Sequence, residues 1–329
     1  MDIVYGLVML KVHTLAQDFH WCLNTPSLLS GPPLDFGKGC AELETPDALL
    51  NALPQRPEIT ALEEYRQHHG RVGLYYEALW AFLLKHVSGE SPILHNAQIF
   101  FRKQTLGALD LVSCQGDQLI HRELAAKFYL AAHEGATLDD WIGPHAGDRL
   151  SDKVHHLLSH QLPLFYHAET ERVLDAWLKS QGQPPLVNWK RRSRIRIQGC
   201  LFRHWLRPLA TDLPPLINRN QITGLWCHFN ELEACLAHTQ ASGGQIIPRL
   251  NWLCGLPNEG PGDFKQAGGT LIQEVTAHMA QAGAGGLMIR LYRIHPEKPE
   301  WLHERLIIVP EGWPLRPSAH LDNSSARNA

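Results

Sequence analysis

Three acids and a lysine in the first half of this chain have the types and spacing for metal-assisted chemistry on a phosphate. Gly116-Asp117 is a glycine-first dipeptide of the kind that closes a two-residue β-hairpin. With Gln115 and Gln118 flanking the turn, paired positions sum to 233, which sets Asp110 opposite Glu123. Like charges facing each other destabilise a ladder unless something offsets them. A bound cation is the usual offset. Side chains alternate along a strand, so His121, Glu123, Ala125, Lys127 and Tyr129 share one face. Ile120, Leu124, Ala126, Phe128 and Leu130 take the other, interrupted by Arg122. The first set is expected to line a polar surface or cleft, the second to face a core. His121 is read as a polar strand residue and is not counted as catalytic.

A third acid lies upstream. Leu74 to Leu84, LYYEALWAFLL, is a helix whose one charge is Glu77. A helix this apolar is buried on most of its surface, and an ionised carboxylate there needs a partner or a metal. Two readings stay open: Glu77 pairs with a distant Arg or Lys, or it is a third acid of the cleft.

The residue types dictate the chemistry. Mg²⁺, or Mn²⁺ in its place, prefers one or two carboxylates, several waters and a phosphate oxygen. Asp110, Glu123 and Glu77 are the candidate metal ligands. Lys127, the fourth candidate catalytic residue, would stabilise charge on the phosphoryl oxygens or orient the attacking water.

The order of these elements resembles the PD-(D/E)XK phosphodiesterase superfamily, whose core runs αβββαβ. The Glu77 helix, a strand near Asn96–Phe101, the Asp110 strand and the Glu123/Lys127 strand would supply its first four elements. Helical Asp148–His160 with Thr170–Lys179, and a strand near Arg194–Phe202, would supply the rest. The segments GLYYEALWAFLL, LGALDLV, HRELAAKFYL, DRLSDKVHHLLSHQLPL and RIQGCLF are similar to a proteobacterial family of unknown function, DUF1853, over most of the chain. The implied fold is α/β (α+β) with a mixed central sheet, and the implied activity is hydrolysis of nucleic acid, DNA rather than RNA. The superfamily places its second acid and lysine two residues apart, whereas Glu123 and Lys127 are four apart. At ~3.3 Å per residue that is ~13 Å rather than ~6.6 Å. A β-bulge would be needed to bring Lys127 onto the metal of Glu123, and a decayed site is the alternative.

The resemblance to RecB-type nucleases marks Gln161 and Tyr166, after the second helix, as substrate-binding, although their spacing is five rather than four and Pro163 intervenes. In WKRRSRIRIQG, Lys190, Arg192, Arg194 and Arg196 share a strand face, with Ile195 and Ile197 pointing inward. This is either a stripe that tracks a phosphate backbone or a charged edge strand. His156 and His160 sit one helical turn apart, a zinc-capable spacing better read as a polar helix face. Beside hydrolysis stand two alternatives: a decayed nuclease fold that binds nucleic acid or protein, and an unrelated α/β protein whose two acids pair with arginine.

Composition sets the frame. The 329 residues are 44% hydrophobic and 19% charged, with a net charge of −3, so attraction to nucleic acid must be local. Seven scattered cysteines without a CxxC argue against a disulfide scaffold and for a reducing, cytoplasmic setting. The apolar run Ile3–Leu10 is too short for a membrane span and lacks the basic start of a signal peptide. The expected division is a nuclease-like core with a helical N-terminal extension over 1–205, a smaller α+β module over 206–315, and a disordered tail over 316–329.

Overall fold

The turn at Gly116 is the pivot of the central sheet. Gly116 takes φ 58°, a left-handed value that residues with a Cβ avoid. The computed structural model describes residues 15–31, 57–69, 71–254, 265–266, 269–281, 285–293 and 300–314. The first fourteen residues and the tail expected over 316–329 lie outside them. In chain order the first elements are α1 (residues 15–24), α2 (Pro57–His69), α3 (Val72–His86), β1 (Ile93–Phe101), β2 (Gln104–Gln115), β3 (Gln118–Ala131) and a short β4 (Trp141–Ile142). Next comes α4 (Leu150–His156), which runs through a π-helical turn (Leu157–Gln161) into a last turn, Leu162–Leu164. Then follow α5 (Ala168–Ser180), β5 (Lys190–His204), β6 (Ile222–His228), α6 (Leu232–His238), β7 (Gly243–Ile246), β8 (Lys265–Gln266), α7 (Thr270–Met279), β9 (Leu287–Arg293) and β10 (Glu300–Val309).

The strands form one mixed sheet in the order β1-β2-β3-β5-β6-β10-β9-β7-β8, with β4 on β3. β1, β2 and β3 pair antiparallel, while β3, β5, β6 and β10 run parallel. The protein is therefore a mixed α/β structure. The division expected at 205/206 falls between β5 and β6, which are neighbours in this sheet. Gly199 lets β5 approach β3 closely, since a Cβ there would lie 1.7 Å from the Lys127 carbonyl oxygen.

Helices cover both faces of β3. On one face Tyr76, Leu79, Leu83 and residues of α1 and α2 pack against Leu124, Phe128 and Leu130. On the other, Leu150 and Val154 of α4 and Leu157 of the π turn pack against Ala125 and Tyr129. Each such aliphatic or aromatic side chain contributes about 1.5–3 kcal/mol on burial. The second face was expected to be a polar surface or cleft. The structure corrects this: α4 and its continuation lie over it, and His121 and Glu123 are 0% and 1% exposed. Among the described residues, no helix is long and apolar enough to cross a membrane.

Candidate active site where two strands part

The β2–β3 ladder has the register that the turn predicts, from Gln115↔Gln118 to Leu111↔Arg122. One step further the pairing changes hands. Asp110 Oδ2 accepts the backbone N–H of Leu124 at 2.9 Å, so a carboxyl group occupies the place of a ladder bond. This draws the Asp110 carboxyl onto Glu123. Burial first, then the Glu123 charge, pushes Asp110 up to about 7, and Glu77 adds a weaker push. Burial likewise raises Glu123 to about 7 against the opposing pull of Lys153 and of hydrogen bonds with Asp110.

The partners of Glu123 come from its own strand and from the helix above. His121 Nε2 lies 2.8 Å from Glu123 Oε1, and Nδ1 lies 3.4 Å from Ser193 Oγ. Burial holds this imidazole down at about 4, so it is neutral at physiological pH and donates from Nε2 to the carboxylate. Its ring stacks on Phe165 at 4.9 Å. Gln161 Nε2 donates to Glu123 Oε2, and Gln161 Oε1 accepts from Lys153 Nζ at 2.9 Å. Residues eight apart on a regular α-helix diverge by about 80°. Lys153 and Gln161 nevertheless meet, because the π turn between them winds more slowly. Leu162 N–H reaches back five residues to Leu157 O. Pro163, which has no N–H to continue the usual pattern, follows directly.

A family model described as domain of unknown function (DUF1853) matches residues 17–309. The chain belongs to this family. No curated protein and no solved structure matches it. Membership in DUF1853 carries no activity with it, so function has to be argued from the site.

The remaining candidates of this DUF1853 chain scatter. Lys127 Nζ donates to Asp148 Oδ2 at 2.6 Å, and Tyr129 OH donates to Asp148 Oδ1 at 3.1 Å, so Lys127 is bound to a different acid. Lys153 of α4 is the lysine beside Asp110 and Glu123. Burial lowers its pKa first, against the attraction of Glu123 and Asp110. The cation offsetting the acids is thus a lysine rather than the arginine of the third alternative. Glu77 lies 3.5 Å from His95 Nε2 and reaches the acid pair only as a charge.

The basic stripe faces away from Glu123. Ser193 is paired with His121, so Arg192, Arg194 and Arg196 take the opposite face of the sheet. Arg196 lies 4.6 Å over the Trp80 ring of α3 and donates to Cys22 O at 3.2 Å. Tyr166 is exposed, with Arg191 5.1 Å over its ring and paired to Glu171 at 2.8 Å. His156 and His160 stack at 4.8 Å on an exposed helix face, and among the described residues no three His, Cys, Asp or Glu side chains gather to hold a metal. A cavity of about 670 Å³ lies elsewhere, lined by His20, Trp21, Cys200, Thr223 and Arg305 among others, and contains none of the acids.

Sequence reasoning missed Lys153 and Ser193 and set His121 aside. A partial signal existed: Lys153 and Gln161 each border the apolar stripe Leu150, Val154, Leu157, which places them at the edge of the helix face that packs on the sheet.

Proposed function

We propose that this chain hydrolyses phosphodiester bonds in nucleic acid, DNA in preference to RNA, using Mg²⁺ or Mn²⁺ held by Asp110 and Glu123. The observation that carries the reading is the meeting of two carboxyl groups with Lys153 and Gln161 where β2 and β3 part. The order α3, β1, β2, β3, α4–α5, β5, with β5 parallel to β3, supports a PD-(D/E)XK-like core.

The donor set suits a hard cation. Magnesium takes one or two protein carboxylates and completes its shell with water and phosphate. Two desolvated carboxyls that retain protons up to about neutral pH gain by exchanging those protons for an ion. When bound, such an ion polarises the scissile phosphate and lowers the pKa of a coordinated water. Lys153, half-buried beside the acids, stabilises negative charge developing on the phosphoryl oxygens. Gln161 bridges Glu123 and Lys153 and so fixes their separation. Neutral His121 holds the second Glu123 oxygen.

One observation favours the alternative of a fold that binds without cleaving. Glu123 is 1% exposed with both oxygens already bonded. Calorimetric titration with Mn²⁺, paired with a cleavage assay on labelled DNA, separates the two. Wild type is expected to bind the ion and cut, and Asp110→Asn to lose both with an unchanged circular dichroism spectrum. Binding of DNA without turnover by wild type selects the alternative. Absence of a Mn²⁺ signal removes the metal from the reading.

A further inference from the structure

The β1–β2 hairpin ends in two cations held in a backbone conformation that such residues avoid. Phe101 pairs with Gln104, leaving Arg102 and Lys103 as a two-residue turn. Both have positive φ, 45° and 70°. Turns of this kind normally use Asn-Gly or Gly, because a side chain is strained at these angles. Two long basic side chains at such a turn make it a candidate contact for phosphate.

The tip also stands clear of the fold. Every residue from Phe100 to Thr105 is exposed, and Phe100 and Phe101 are 54% and 41% exposed. Adjacent positions on a strand point to opposite faces, so the ribbon carries an aromatic ring on each side. Arg102 lies 5.0 Å over the Phe101 ring, which pre-orders the guanidinium. Among the described residues β1 is an edge strand of the sheet, with β2 as its one strand neighbour. The second strand of the hairpin leads directly to Asp110. Asp110 lies six positions along from Gln104, or ~20 Å of strand.

We propose that this hairpin tip enters the major groove of duplex DNA, with Arg102 and Lys103 on phosphates and the two phenylalanines against the groove wall. This rests on the nucleic-acid reading of Asp110 and Glu123 and names its substrate as a duplex. A two-stranded ribbon fits the B-form major groove, about 12 Å wide, whereas the A-form groove of RNA is too narrow for it. With the scissile phosphate at Asp110, the tip engages the duplex roughly six base pairs away, at 3.4 Å per step.

The test is fluorescence anisotropy with a labelled DNA duplex and the matching single strand, in the cleavage-blocked Asp110→Asn protein. It compares that protein with the same protein carrying Arg102→Asn and Lys103→Gly. The substituted turn is the favoured Asn-Gly, so the hairpin itself is retained. Duplex affinity is expected to fall about tenfold at moderate salt, with a salt dependence shallower by about two, one for each phosphate no longer neutralised. Single-strand affinity is expected to fall several-fold less than duplex affinity, because a single strand attracts the cations through its phosphates but offers the phenylalanines no groove wall. Unchanged duplex affinity and slope would overturn the proposal, as would an equal loss on the single strand. If neither DNA form binds even without the tip substitutions, the nucleic-acid reading falls with it. A tip effect without cleavage by the wild-type protein sinks only the hydrolytic assignment.

Discussion

Arg122 and Glu123 are neighbours on β3, point to opposite faces of the sheet, and are 7% and 1% exposed. Their surroundings differ in one respect that matters. On the Arg122 side the guanidinium donates to Glu90 Oε1 at 2.8 Å and to Ser113 Oγ at 2.6 Å, and Ser113 donates to Glu90. One positive and one negative charge close a cluster. On the Glu123 side two acids share one lysine, a glutamine and a neutral histidine. Equal burial with unequal charge separates a cluster that only holds the fold from one that retains affinity for a cation. Burying an acid is tolerable in both places, but only the first has paid for it within the chain.

This contrast can be attacked from either side. Glu90→Ala leaves Arg122 buried without its partner and is expected to lower stability by about 3–5 kcal/mol, measured by urea unfolding. A loss below about 1 kcal/mol would remove the contrast, since the balanced cluster would then hold nothing.

The unbalanced cluster has the opposite signature. Asp110 and Glu123 bind protons more tightly folded than unfolded, so their contribution is fully present below the unfolded carboxylate range near pH 4. It is lost as pH rises toward about 7. Without metal, the wild type is expected to lose on the order of a few kcal/mol across that window. Asp110→Asn should flatten the dependence and be the more stable protein at pH 8, while Mn²⁺ should restore the wild type there. Urea midpoints at pH 4, 6 and 8 decide it, and parallel curves for the two proteins would contradict the acid-pair geometry.

The two lysines give the finest test. Lys153→Met is expected to reduce cleavage about a hundredfold, equivalent to ~2.7 kcal/mol of transition-state stabilisation. Lys127→Met removes a half-exposed pair with Asp148, worth at most about 1 kcal/mol, and should change cleavage less than about threefold. Reversed magnitudes would return the catalytic role to Lys127.

Local rules carried much of the architecture. The Gly116 turn predicts the five β2–β3 pairs from Gln115↔Gln118 to Leu111↔Arg122, and the apolar run Leu74–Leu84 predicts α3. The superfamily resemblance implied a helix within α5 and a strand near Arg194–Phe202 that β5 exceeds at both ends. The resemblance to DUF1853 was likewise legible in the helix and strand segments, and the matching family spans the sheet from end to end. The strand β6 was not legible. Ile222–His228 lies between two parallel strands and is buried on both faces, so it has no alternation to read. A different cause hid the nature of the Glu123 face: alternation tells the two faces apart but does not tell which helix covers either. His121 and Lys127 look like surface residues in an alternating strand pattern, yet α4 covers the first and leaves the second partly exposed.

By itself, then, the sequence determined the ladder from Gln115↔Gln118 to Leu111↔Arg122, because a two-residue turn leaves strand register no freedom. The expected Asp110–Glu123 pair is not part of it, and the Asp110 carboxyl bonds the Leu124 N–H instead. The sequence also determined that Glu77 rides an apolar helix, whereas Gln161, expected after the second helix, lies within it, in the π turn Leu157–Gln161 that continues to Leu164. Only the tertiary structure decided which lysine serves the acids. Strand rise keeps Lys127 ~13 Å along from Glu123, while the packing of α4 on the sheet sets Lys153, thirty positions on, beside the acids, and the π turn after it brings Gln161 to both. Contacts within an element follow from spacing. Contacts between elements follow from how two surfaces pack, and that is written in no single stretch of the chain.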